Sequence, residues 1–404
     1  MPTQTTQVGI VGAGPAGLLL GKLLHLNGID SVIVEDRSRD YVIDRVRAGV
    51  LEQGTVDLLH AAGVGSRLQR EGLRHDGLYI SFQGVRHHID FAQLTGGKAI
   101  TVYGQNEVVR DLIDARLSTG RPLFFEAGHV SISGMDSSRP IIRFRHADAD
   151  HEVHCDFIAG CDGFHGICRP SIPDGVLTIY ERVYPFGWLG ILAEAAPSSD
   201  ELVYTYHERG FALFSMRSPR VTRLYLQVPP DESIENWSDE AIWAEMLERM
   251  TTRDGWRPNV GRIVQKSVTP MRSFVAAPMR HGRLFLAGDA AHIVPPTGAK
   301  GLNLAASDVL VLARAMKDFY ACGQTEWLDK YSDVCLRRVW KAQRFSWWMT
   351  STLHRTPNET AFDHQRQIAD LDYLTSSRAA MTSLAEQYVG LPAEVSFESA
   401  GLLS

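Results

Sequence analysis

Three short apolar runs along the chain each end in a turn that contains glycine. The first, Val8–Val11, leads through a glycine-rich turn into the apolar stretch LLLGKLLHL and then into a further run, Ser31–Val34. The other two are Phe157–Gly160 and Leu284–Ala287. Short continuous apolar runs bounded by turn residues are typical of buried parallel strands. The pattern therefore predicts a Rossmann-like layer assembled from separate parts of the chain.

Long alternating stretches rich in Tyr, Phe and Val occupy the middle of the chain. They run from about Ile172 to Pro270 and appear again in LYISFQGVRHHIDF, between Gly77 and Ala99. Alternation with a period of two is typical of antiparallel strands with one buried face. Beyond Ala305 the apolar spacing becomes helical.

These patterns predict an α/β (α+β) fold with three parts. We expect a Rossmann-like dinucleotide-binding domain, an inserted antiparallel-sheet substrate domain and a C-terminal helical region. The predicted bounds are residues 1–75, 100–172 and 270–320 for the first, 76–99 and 173–269 for the second, and 321–404 for the third.

Composition narrows the class of function. The 404 residues carry a net charge of -6, which argues against a nucleic-acid partner because such a partner needs a basic surface. No apolar run approaches the roughly 18 residues of a membrane span. The five cysteines include no C-x-x-C pair. We therefore expect neither a disulfide framework nor a metal site, and we expect a cytoplasmic protein.

The first glycine turn has the spacing of a dinucleotide-binding motif. Gly12, Gly14 and Gly17 form G-x-G-x-x-G, and Glu35 ends the next run 18 residues after Gly17. The first glycine permits the tight turn, the second lets a pyrophosphate approach the backbone, and the third lets the helix pack on the strand. The distal acid suits a ribose hydroxyl. A glycine-rich turn without a ligand is the alternative, and the strand and helix around it favour the dinucleotide.

Further candidates lie at predicted strand ends and helix starts. Asp162 and Asp289 each adjoin a glycine after a strand, where a plain turn is the alternative to a nucleotide contact. Arg45 and Arg47 are two residues apart, so an extended chain would point both guanidiniums to one side as anion ligands. Solvated surface arginines are the alternative. Gln105 starts a predicted helix, where it either caps the helix or contacts a cofactor.

Polar side chains along the alternating stretches suit the wall of a pocket. Ser215 and Arg217 are two residues apart and therefore face the same side of a strand. A hydroxyl and a guanidinium at this spacing can bind a carboxylate. Tyr204, Arg223 and Tyr225 lie on or beside neighbouring strands. Periodicity alone leaves a pocket wall and a solvent-facing surface equally open.

Taken together, the motifs resemble those of the single-component aromatic flavoprotein monooxygenases. The blocks RAGVLEQG, ERVYPFGWLG, LFLAGDAAHIVPPTGAKG, GLNLAASD and RFSWWMTS are similar to that family's, and the resemblance runs from Val8 to about Pro392. It implies a bound FAD. The residues implied to hold it are Gly12, Gly14, Ala16, Gly17, Glu35, Arg45, Arg47, Ala48, Gly49, Val50, Gln105, Asp162, Arg223, Asp289, Gly301, Leu302 and Asn303.

The resemblance also implies a reaction. We expect FAD-dependent hydroxylation of a small aromatic acid, 4-hydroxybenzoate, to 3,4-dihydroxybenzoate with O2 as co-substrate. Because oxygen transfer to the ring is electrophilic, the phenol should be bound as phenolate and its proton moved away. Tyr204, Tyr388 and the Pro296 carbonyl are implied to surround the phenol, and His75, in a polar loop, to end a proton relay to solvent. The substrate-binding set is Tyr204, Ser215, Met216, Arg217, Tyr225, Pro296 and Thr297.

The nicotinamide coenzyme is expected to bind transiently, because the chain has one dinucleotide motif and FAD would occupy it. The resemblance places the adenosine end of NADH or NADPH at Asp36, Arg37, Ser38 and Tyr41. Asp36 stands where relatives often place a basic residue. Its charge would repel a 2′-phosphate, which favours NADH, whereas Arg37 and Arg39 could attract the phosphate. The family further suggests a homodimer.

Three other functions stay open at this point. A flavoprotein of the same fold that reduces or epoxidises an apolar lipid would have no use for Arg217 or for the Tyr204–Tyr388 pair. An FAD-binding redox sensor would bind the cofactor without substrate-stimulated oxidation of NAD(P)H. A hydroxylase of another aromatic acid, such as 3-hydroxybenzoate, would differ only in how the ring is placed.

Overall fold

A computed structural model describes residues 2–45 and 49–392 of the chain. The predicted FAD contacts at Arg47 and Ala48 lie outside the described residues. The strands are β1 Thr3–Thr5, β2 Val8–Val11, β3 Ser31–Val34, β4 Val50–Glu52, β5 Leu73–His75, β6 Gly77–Phe82, β7 Val85–Asp90, β8 Ile100–Val102, β9 Leu123–Phe124, β10 Gly128–Ser133, β11 Ile141–His146, β12 Ala149–His154, β13 Phe157–Gly160, β14 Thr178–Glu194, β15 Val203–Thr205, β16 Ala212–Ser218, β17 Val221–Val228, β18 Arg262–Ala277, β19 Arg280–His281, β20 Leu284–Leu286 and β21 His292–Ile293.

Helices connect the strands and make up most of the chain beyond β21. They are α1 Pro15–Leu26, α2 Arg39–Asp44, α3 Gln53–Ala61, α4 Ser66–Glu71, α5 Phe91–Thr95, α6 Gln105–Ser118, α7 Asp239–Met250, α8 Gly301–Cys322, α9 Glu326–Leu353, α10 Ala361–Ser376 and α11 Arg378–Val389. Short 3-10 turns occur at Arg169–Ser171, Ile234–Asn236, Gly288–Ala290 and Pro296–Gly298. The predicted helical C-terminal region is confirmed.

A six-stranded sheet in the order β19-β20-β13-β2-β3-β9 contains the apolar runs. The neighbours from β20 to β9 are parallel, and every residue of β2, β3, β13 and β20 is buried. Helix α1 packs against α6 and α8. Strands buried in this way have no polar face, which explains why their sequences are continuous and not alternating. The predicted Rossmann-like layer is confirmed.

An eight-stranded sheet in the order β21-β18-β14-β17-β16-β15-β6-β7 joins the two alternating stretches of the sequence. Its pairs are antiparallel apart from the parallel pair β15–β6. One face packs its apolar side chains against α7, and the other packs against the helices from α9 to α11. This second face carries the polar side chains that sequence reasoning selected.

Strand β21 connects the two sheets along the chain. It follows the Gly288–Ala290 turn at the end of β20 and pairs with β18 at the edge of the eight-stranded sheet. The chain then enters the Pro296–Gly298 turn and α8. Two smaller sheets, β1-β12-β11-β10 and β4-β8-β5, complete the β-structure of the described ranges.

Candidate active site

The glycine turn after β2 leaves room for a ligand at its backbone. Gly12 has φ +105°, and a Cβ there would lie 2.4 Å from the carbonyl oxygen of Cys161. A Cβ on Gly17 would lie 2.0 Å from the Gly12 oxygen, whereas one on Gly14 would meet nothing within 4 Å. Gly14 precedes α1, whose first turn includes Ala16. The turn therefore fits the pyrophosphate of FAD, which would meet the open backbone at the start of the helix.

Glu35 lies directly beside this turn. Its carboxylate accepts a hydrogen bond from the Ala13 amide at 2.7 Å and another from the Arg37 amide at 3.0 Å. Burial and the neighbouring Asp36 raise the pKa of Glu35 to about 7, against the two amide hydrogen bonds, which lower it. This carboxylate is therefore placed to accept hydrogen bonds from the ribose hydroxyls of a dinucleotide bound at the glycine turn.

The two predicted aspartates lie at the ends of neighbouring parallel strands. Asp162 follows β13, and its Oδ2 accepts from the Cys168 amide at 2.8 Å while the buried Oδ1 has no hydrogen-bond partner. Burial raises the pKa of Asp162. Asp289 lies in the turn after β20, where the Gly288 amide donates to the Asp308 carboxylate at 3.0 Å. An unsatisfied buried oxygen at Asp162 fits a ligand hydroxyl.

The start of α8 forms another side of the same region. A Cβ on Gly301 would meet nothing within 4 Å, so the helix begins with open backbone; Leu302 beside it is half-buried. Asn303 accepts from the Glu52 amide at 2.9 Å and donates to the Val50 carbonyl at 3.1 Å. The Asn303 amide therefore fixes β4 against the helix start, where an anion or a flavin carbonyl is favoured.

The remaining predicted FAD residues fall into two groups. Gly49, Val50 and Gln105 come together because β4 pairs with β8, which leads into α6 at Gln105. A Cβ on Gly49 would lie 2.3 Å from the Tyr103 oxygen, so a side chain has no room there. Arg45 is exposed at the end of α2. Its predicted role as one of two aligned guanidiniums stays a prediction.

A cavity lies between the eight-stranded sheet and the turns before α8. Every substrate-binding residue of the sequence prediction lines it except Thr297, which is fully buried beside it. The lining residues are Gly49, Val50, Val102, Trp188, Leu202, Tyr204, Leu213, Ser215, Met216, Arg217, Arg223, Tyr225, Pro296 and Ala299.

One part of this cavity is cationic. Arg217 donates from Nη2 to the Asn106 oxygen at 2.6 Å, and Arg223 donates from Nε to the Tyr225 hydroxyl at 2.7 Å. Burial and the nearby Arg223 lower the pKa of Arg217. Ser215 pairs with Arg223 across β16 and β17. Because a half-buried guanidinium gains from an anionic ligand, this part of the cavity fits a carboxylate.

Strand β16 shifts register between Met216 and Ser218. A regular strand would send Ser215 and Arg217 to one face and Met216 to the other. In the structure the strand is irregular at this point, and all three consecutive side chains line the cavity. A bulge redirects side chains in this way.

A buried tyrosine on the cavity wall, Tyr204, is paired with a second buried tyrosine, Tyr388. The Tyr204 hydroxyl donates to the Thr297 carbonyl at 3.1 Å and is hydrogen-bonded to the hydroxyl of Tyr388. Burial raises the pKa of both tyrosines, so both are neutral and able to donate. The Pro296 oxygen accepts from the Ala299 amide at 2.9 Å, which leaves the carbonyl one further lone pair.

Tyr204 lies one strand away from Leu213, with which it is in register. Arg217 is four residues further along β16, or about 13 Å at 3.3 Å per residue. Long side chains that reach inward from both positions can hold a six-membered ring with its hydroxyl and carboxylate at opposite ends.

His75 departs from its prediction. It ends strand β5 and is 1% exposed, not part of a polar loop. Neither ring nitrogen has a hydrogen-bond partner, and burial lowers its pKa to about 4, although Asp200 and Asp76 raise it. The sequence missed this burial because the neighbouring Arg74 and Asp76 are polar, whereas pairing of β5 with β8 covers the ring.

A buried ion pair behind Tyr388 was not found from the sequence. Lys300 donates from Nζ to Glu52 at 2.7 Å and to the carbonyl oxygen of Tyr388 at 3.1 Å. Arg338 binds the other Glu52 oxygen at 2.8 Å. Lys300 and Glu52 are 248 residues apart, so no local pattern links them. The pair holds the backbone that presents the Tyr388 hydroxyl.

The predicted coenzyme segment lies on the surface at the start of α2. Ser38 caps this helix by accepting from the Tyr41 amide at 3.2 Å. Asp36 and Arg37 form an exposed ion pair at 3.6 Å, and the Arg37 guanidinium lies 5.4 Å from the centre of the Tyr41 ring. The carboxylate of Asp36 therefore partly neutralises the arginine nearest to it.

Comparison with known proteins agrees with these features. A family model described as an FAD binding domain matches residues 5–346. The p-hydroxybenzoate hydroxylase of Acinetobacter baylyi (strain ATCC 33305 / BD413 / ADP1) is 52% identical over 395 residues, which is 98% of each chain. The chain belongs to the FAD-dependent aromatic monooxygenases. The prediction of this family and of its FAD cofactor is confirmed.

More distant similarities exist to one protein in sequence and to another in fold. A 3-(3-hydroxy-phenyl)propionate/3-hydroxycinnamic acid hydroxylase of Mycobacterium avium (strain 104) is 25% identical over 74% of this chain and 52% of that protein. The crystal structure of p-nitrophenol 4-monooxygenase from Pseudomonas putida DLL-E4 superposes with a TM-score of 0.84 at 19% identity, covering 97% of this chain and 100% of that one. At that identity the superposition shows the fold alone.

Two predicted absences bear on the class of site. Among residues 2–45 and 49–392, no group of three or more His, Cys, Asp or Glu side chains could hold a metal ion. None of the helices in the same ranges has the length and apolar character required to cross a membrane.

Proposed function

We propose that the enzyme hydroxylates 4-hydroxybenzoate to 3,4-dihydroxybenzoate, using O2 and a nicotinamide coenzyme. The observation that carries the proposal is the cavity itself, whose wall includes both the half-buried cationic side chain of Arg217 and the buried hydroxyl of Tyr204. The relative from Acinetobacter baylyi, named p-hydroxybenzoate hydroxylase, supports the same substrate.

The protein's own contribution is to bind, orient and deprotonate the substrate. FAD, when bound, would accept reducing equivalents from the coenzyme and would provide the chemistry that transfers one oxygen atom from O2 to the ring. Arg217, with Ser215 and Tyr225, binds the carboxylate and fixes the direction of the ring. Tyr204 donates to the phenolate oxygen that the oxygen transfer requires, and Pro296 and Thr297 close the cavity around it.

The phenol proton leaves through the tyrosine pair in this proposal. The hydrogen bond between Tyr204 and Tyr388 makes the first step outward. We place His75 next on the path by resemblance to the family; its buried ring is neutral near pH 7, and neither of its nitrogens has a hydrogen-bond partner. The Lys300–Glu52 pair keeps the Tyr388 backbone in position for this transfer.

Among FAD residues, we propose distinct contacts for each part of the cofactor. The glycine turn of Gly12, Gly14, Ala16 and Gly17 binds the pyrophosphate, and Glu35 binds the ribose of the adenosine. Their open backbone and the unsatisfied Asp162 oxygen support this assignment. The flavin end would meet the remaining predicted residues, which are Gly49, Val50, Gln105, Arg223, Asp289, Gly301, Leu302 and Asn303.

For the coenzyme we propose that NADH is accepted well. The Asp36 carboxylate lies 3.6 Å from Arg37 and offsets the charge that a 2′-phosphate would need. Ser38 and Tyr41 lie at the same helix start and would contact the adenosine end. Arg39 is engaged by Asp114 at 3.3 Å.

We propose the three-part division of the chain with one boundary moved. The stretches 77–90 and 178–228 share one sheet, which supports a single substrate domain. Strand β18 continues this sheet to Ala277, past position 269. The end of the substrate domain is therefore better placed at Ala277.

Assembly and location are part of the same proposal. Two exposed aromatic side chains, Tyr180 on β14 and Trp340 on α9, form a patch with ring centres 5.2 Å apart, and Ile179 and Val183 on the same strand are also exposed. Such a patch supports a homodimer, which sedimentation would test. None of the five cysteines, which all lie in the described ranges, forms a disulfide bond, and this supports a cytoplasmic enzyme.

A screen of hydroxybenzoates with NADH and NADPH tests the function. We expect 4-hydroxybenzoate to stimulate coenzyme oxidation and to yield 3,4-dihydroxybenzoate in matching amount. Stimulation and product with 3-hydroxybenzoate instead would favour the alternative aromatic acid hydroxylase. An FAD-loaded protein without any substrate-stimulated oxidation would contradict the enzymatic proposal.

A further inference from the structure

Asn106, the second residue of α6, contacts the substrate-binding arginine. Its Oδ1 accepts a hydrogen bond from Nη2 of Arg217 at 2.6 Å. A Cβ on Gly104, just before the helix, would lie 2.4 Å from the same nitrogen. The guanidinium is thus packed against the start of α6 and positioned there by the asparagine.

The orientation of the Asn106 amide is fixed from its other side. Nδ2 donates to Oε1 of Glu107 at 2.8 Å. The second Glu107 oxygen accepts from Arg67 at 2.5 Å and from Arg110 at 3.0 Å. Because the carboxylate needs a donor, the amide nitrogen must face Glu107 and the amide oxygen must face Arg217.

This arrangement holds the arginine through a neutral acceptor. An amide oxygen orients a guanidinium without cancelling its charge, whereas a carboxylate at the same place would form an ion pair and compete with any anionic ligand. Burial and Arg223 already disfavour the charge on Arg217, and Glu107 favours it from beyond the amide. The asparagine therefore separates Glu107 from the guanidinium.

We propose that Asn106 is a specificity-determining residue that keeps the cavity selective for a phenol with a carboxylate group over a phenol without one. It acts through Arg217 and is a positioning residue. The proposal rests on the proposed function, because it takes an aromatic carboxylate as the ligand of Arg217. Asparagine and aspartate have nearly the same shape, but asparagine gives Arg217 a hydrogen bond without neutralising its charge.

The test compares Asn106→Asp and Asn106→Ala with the wild-type holoenzyme. The readout is binding of 4-hydroxybenzoate and of 4-hydroxybenzaldehyde, which lacks the carboxylate, titrated by flavin fluorescence. We expect Asn106→Asp to weaken binding of the acid by at least about tenfold and of the aldehyde by less than about threefold. Asn106→Ala should weaken acid binding by about threefold, since it removes orientation but adds no charge.

Asn236→Asp is the matched control. Asn236 is exposed and hydrogen-bonded to Glu232. Its substitution by aspartate makes the same change of charge away from the cavity and should leave both affinities unchanged. If Asn106→Asp does not retain FAD, the acid-to-aldehyde ratio is read from Asn106→Ala and Asn106→Ser, and serine should restore part of the preference lost in alanine.

Two outcomes would overturn the proposal in different ways. Equal loss of acid and aldehyde binding, or an unchanged preference in both Asn106 variants, would show that Asn106 does not control selectivity. If the wild-type enzyme binds the aldehyde as tightly as the acid, that result would instead contradict the proposed function, in which Arg217 binds the substrate carboxylate.

Discussion

Removing the Tyr204 hydroxyl should block deprotonation of the bound phenol while leaving substrate binding largely intact. In the structure this hydroxyl is fully buried and joins the Thr297 carbonyl to Tyr388. The substitution Tyr204→Phe keeps the ring and the shape of the cavity. It removes the donor to the phenolate and the first step of the proton path together.

The size of the effect follows from the hydrogen bond that is lost. A hydrogen bond to a charged group contributes about 1.5–3 kcal/mol, and a pKa unit corresponds to about 1.4 kcal/mol. The pKa of the bound phenol should therefore rise by about one to two units, and the phenolate fraction near neutral pH should fall about 10- to 100-fold. The Thr297 oxygen and the Tyr388 hydroxyl also lose a buried partner, which should lower folding stability by about 1–3 kcal/mol.

The assay follows the phenolate absorbance of bound 4-hydroxybenzoate from about pH 6 to 10 and measures hydrogen peroxide against 3,4-dihydroxybenzoate during turnover. Tyr204→Phe should still oxidise coenzyme but release mainly peroxide, because the neutral ring is not attacked in time. Tyr206→Phe is the control: its hydroxyl binds His364 at 2.7 Å and Gln367 at 3.1 Å, and it does not line the cavity.

The reasoning would be refuted by an unshifted phenol pKa together with full coupling of coenzyme oxidation to product in Tyr204→Phe. A similar loss of coupling in Tyr206→Phe would show that the effect arises from general destabilisation and not from the proton path.

Three further predictions concern the carboxylate, the ribose and the coenzyme. Arg217→Ala should weaken 4-hydroxybenzoate binding by at least about tenfold, or about 1.4 kcal/mol; unchanged affinity in a flavin-fluorescence titration would contradict the clamp. Because the folded-state pKa of Glu35 is raised from 4.5 to about 7, its contribution to stability is present below about pH 4.5 and is lost as pH rises through 7. A ribose hydroxyl prefers the ionised carboxylate, so FAD binding to the apoprotein should strengthen by up to about tenfold per pH unit from about pH 5 to 7, and Glu35→Gln should abolish this slope. Asp36→Arg should shift the ratio of kcat/KM values toward NADPH; a wild-type preference for NADPH above about tenfold would show that the arginines dominate.

The parallel sheet was predictable because its strands are buried on all sides. Runs such as Val8–Val11 and Phe157–Gly160 have no polar position, and a fully buried strand allows none. The position of Glu35 followed from the fixed length of a helix and strand after the glycine turn. Its two amide hydrogen bonds show that the same geometry determines its environment.

The substrate cavity was predicted in its residues but not in its local geometry. The spacing of Ser215 and Arg217 correctly placed them together, whereas the entry of Met216 depends on an irregularity of β16 that strand periodicity does not encode. The burial of His75 was missed because it results from packing of β5, not from its polar neighbours.

Contacts between distant parts of the chain were beyond sequence reasoning. Lys300 and Glu52 meet only because α8 and β4 are brought together in the fold. The role of Asn106 likewise depends on Arg217, 111 residues away. A polar residue at a helix start is ordinarily read as part of a cap, so the sequence offered no reason to connect it with the sheet.

One uninterrupted stretch, from Gly288 to Thr297, supplies the turn of Asp289, the edge strand β21 and the Pro296 wall of the cavity. In the proposed function Asp289 would hold the cofactor and Pro296 would contact the substrate, so a single short piece of covalent chain would help to set the separation of the two ligands. A one-residue insertion there would displace the Asp289 turn relative to the Pro296 wall of the cavity. Libraries that seek new aromatic substrates should therefore keep this stretch at constant length and vary β14 and β16, where the cavity can be reshaped without moving the cofactor.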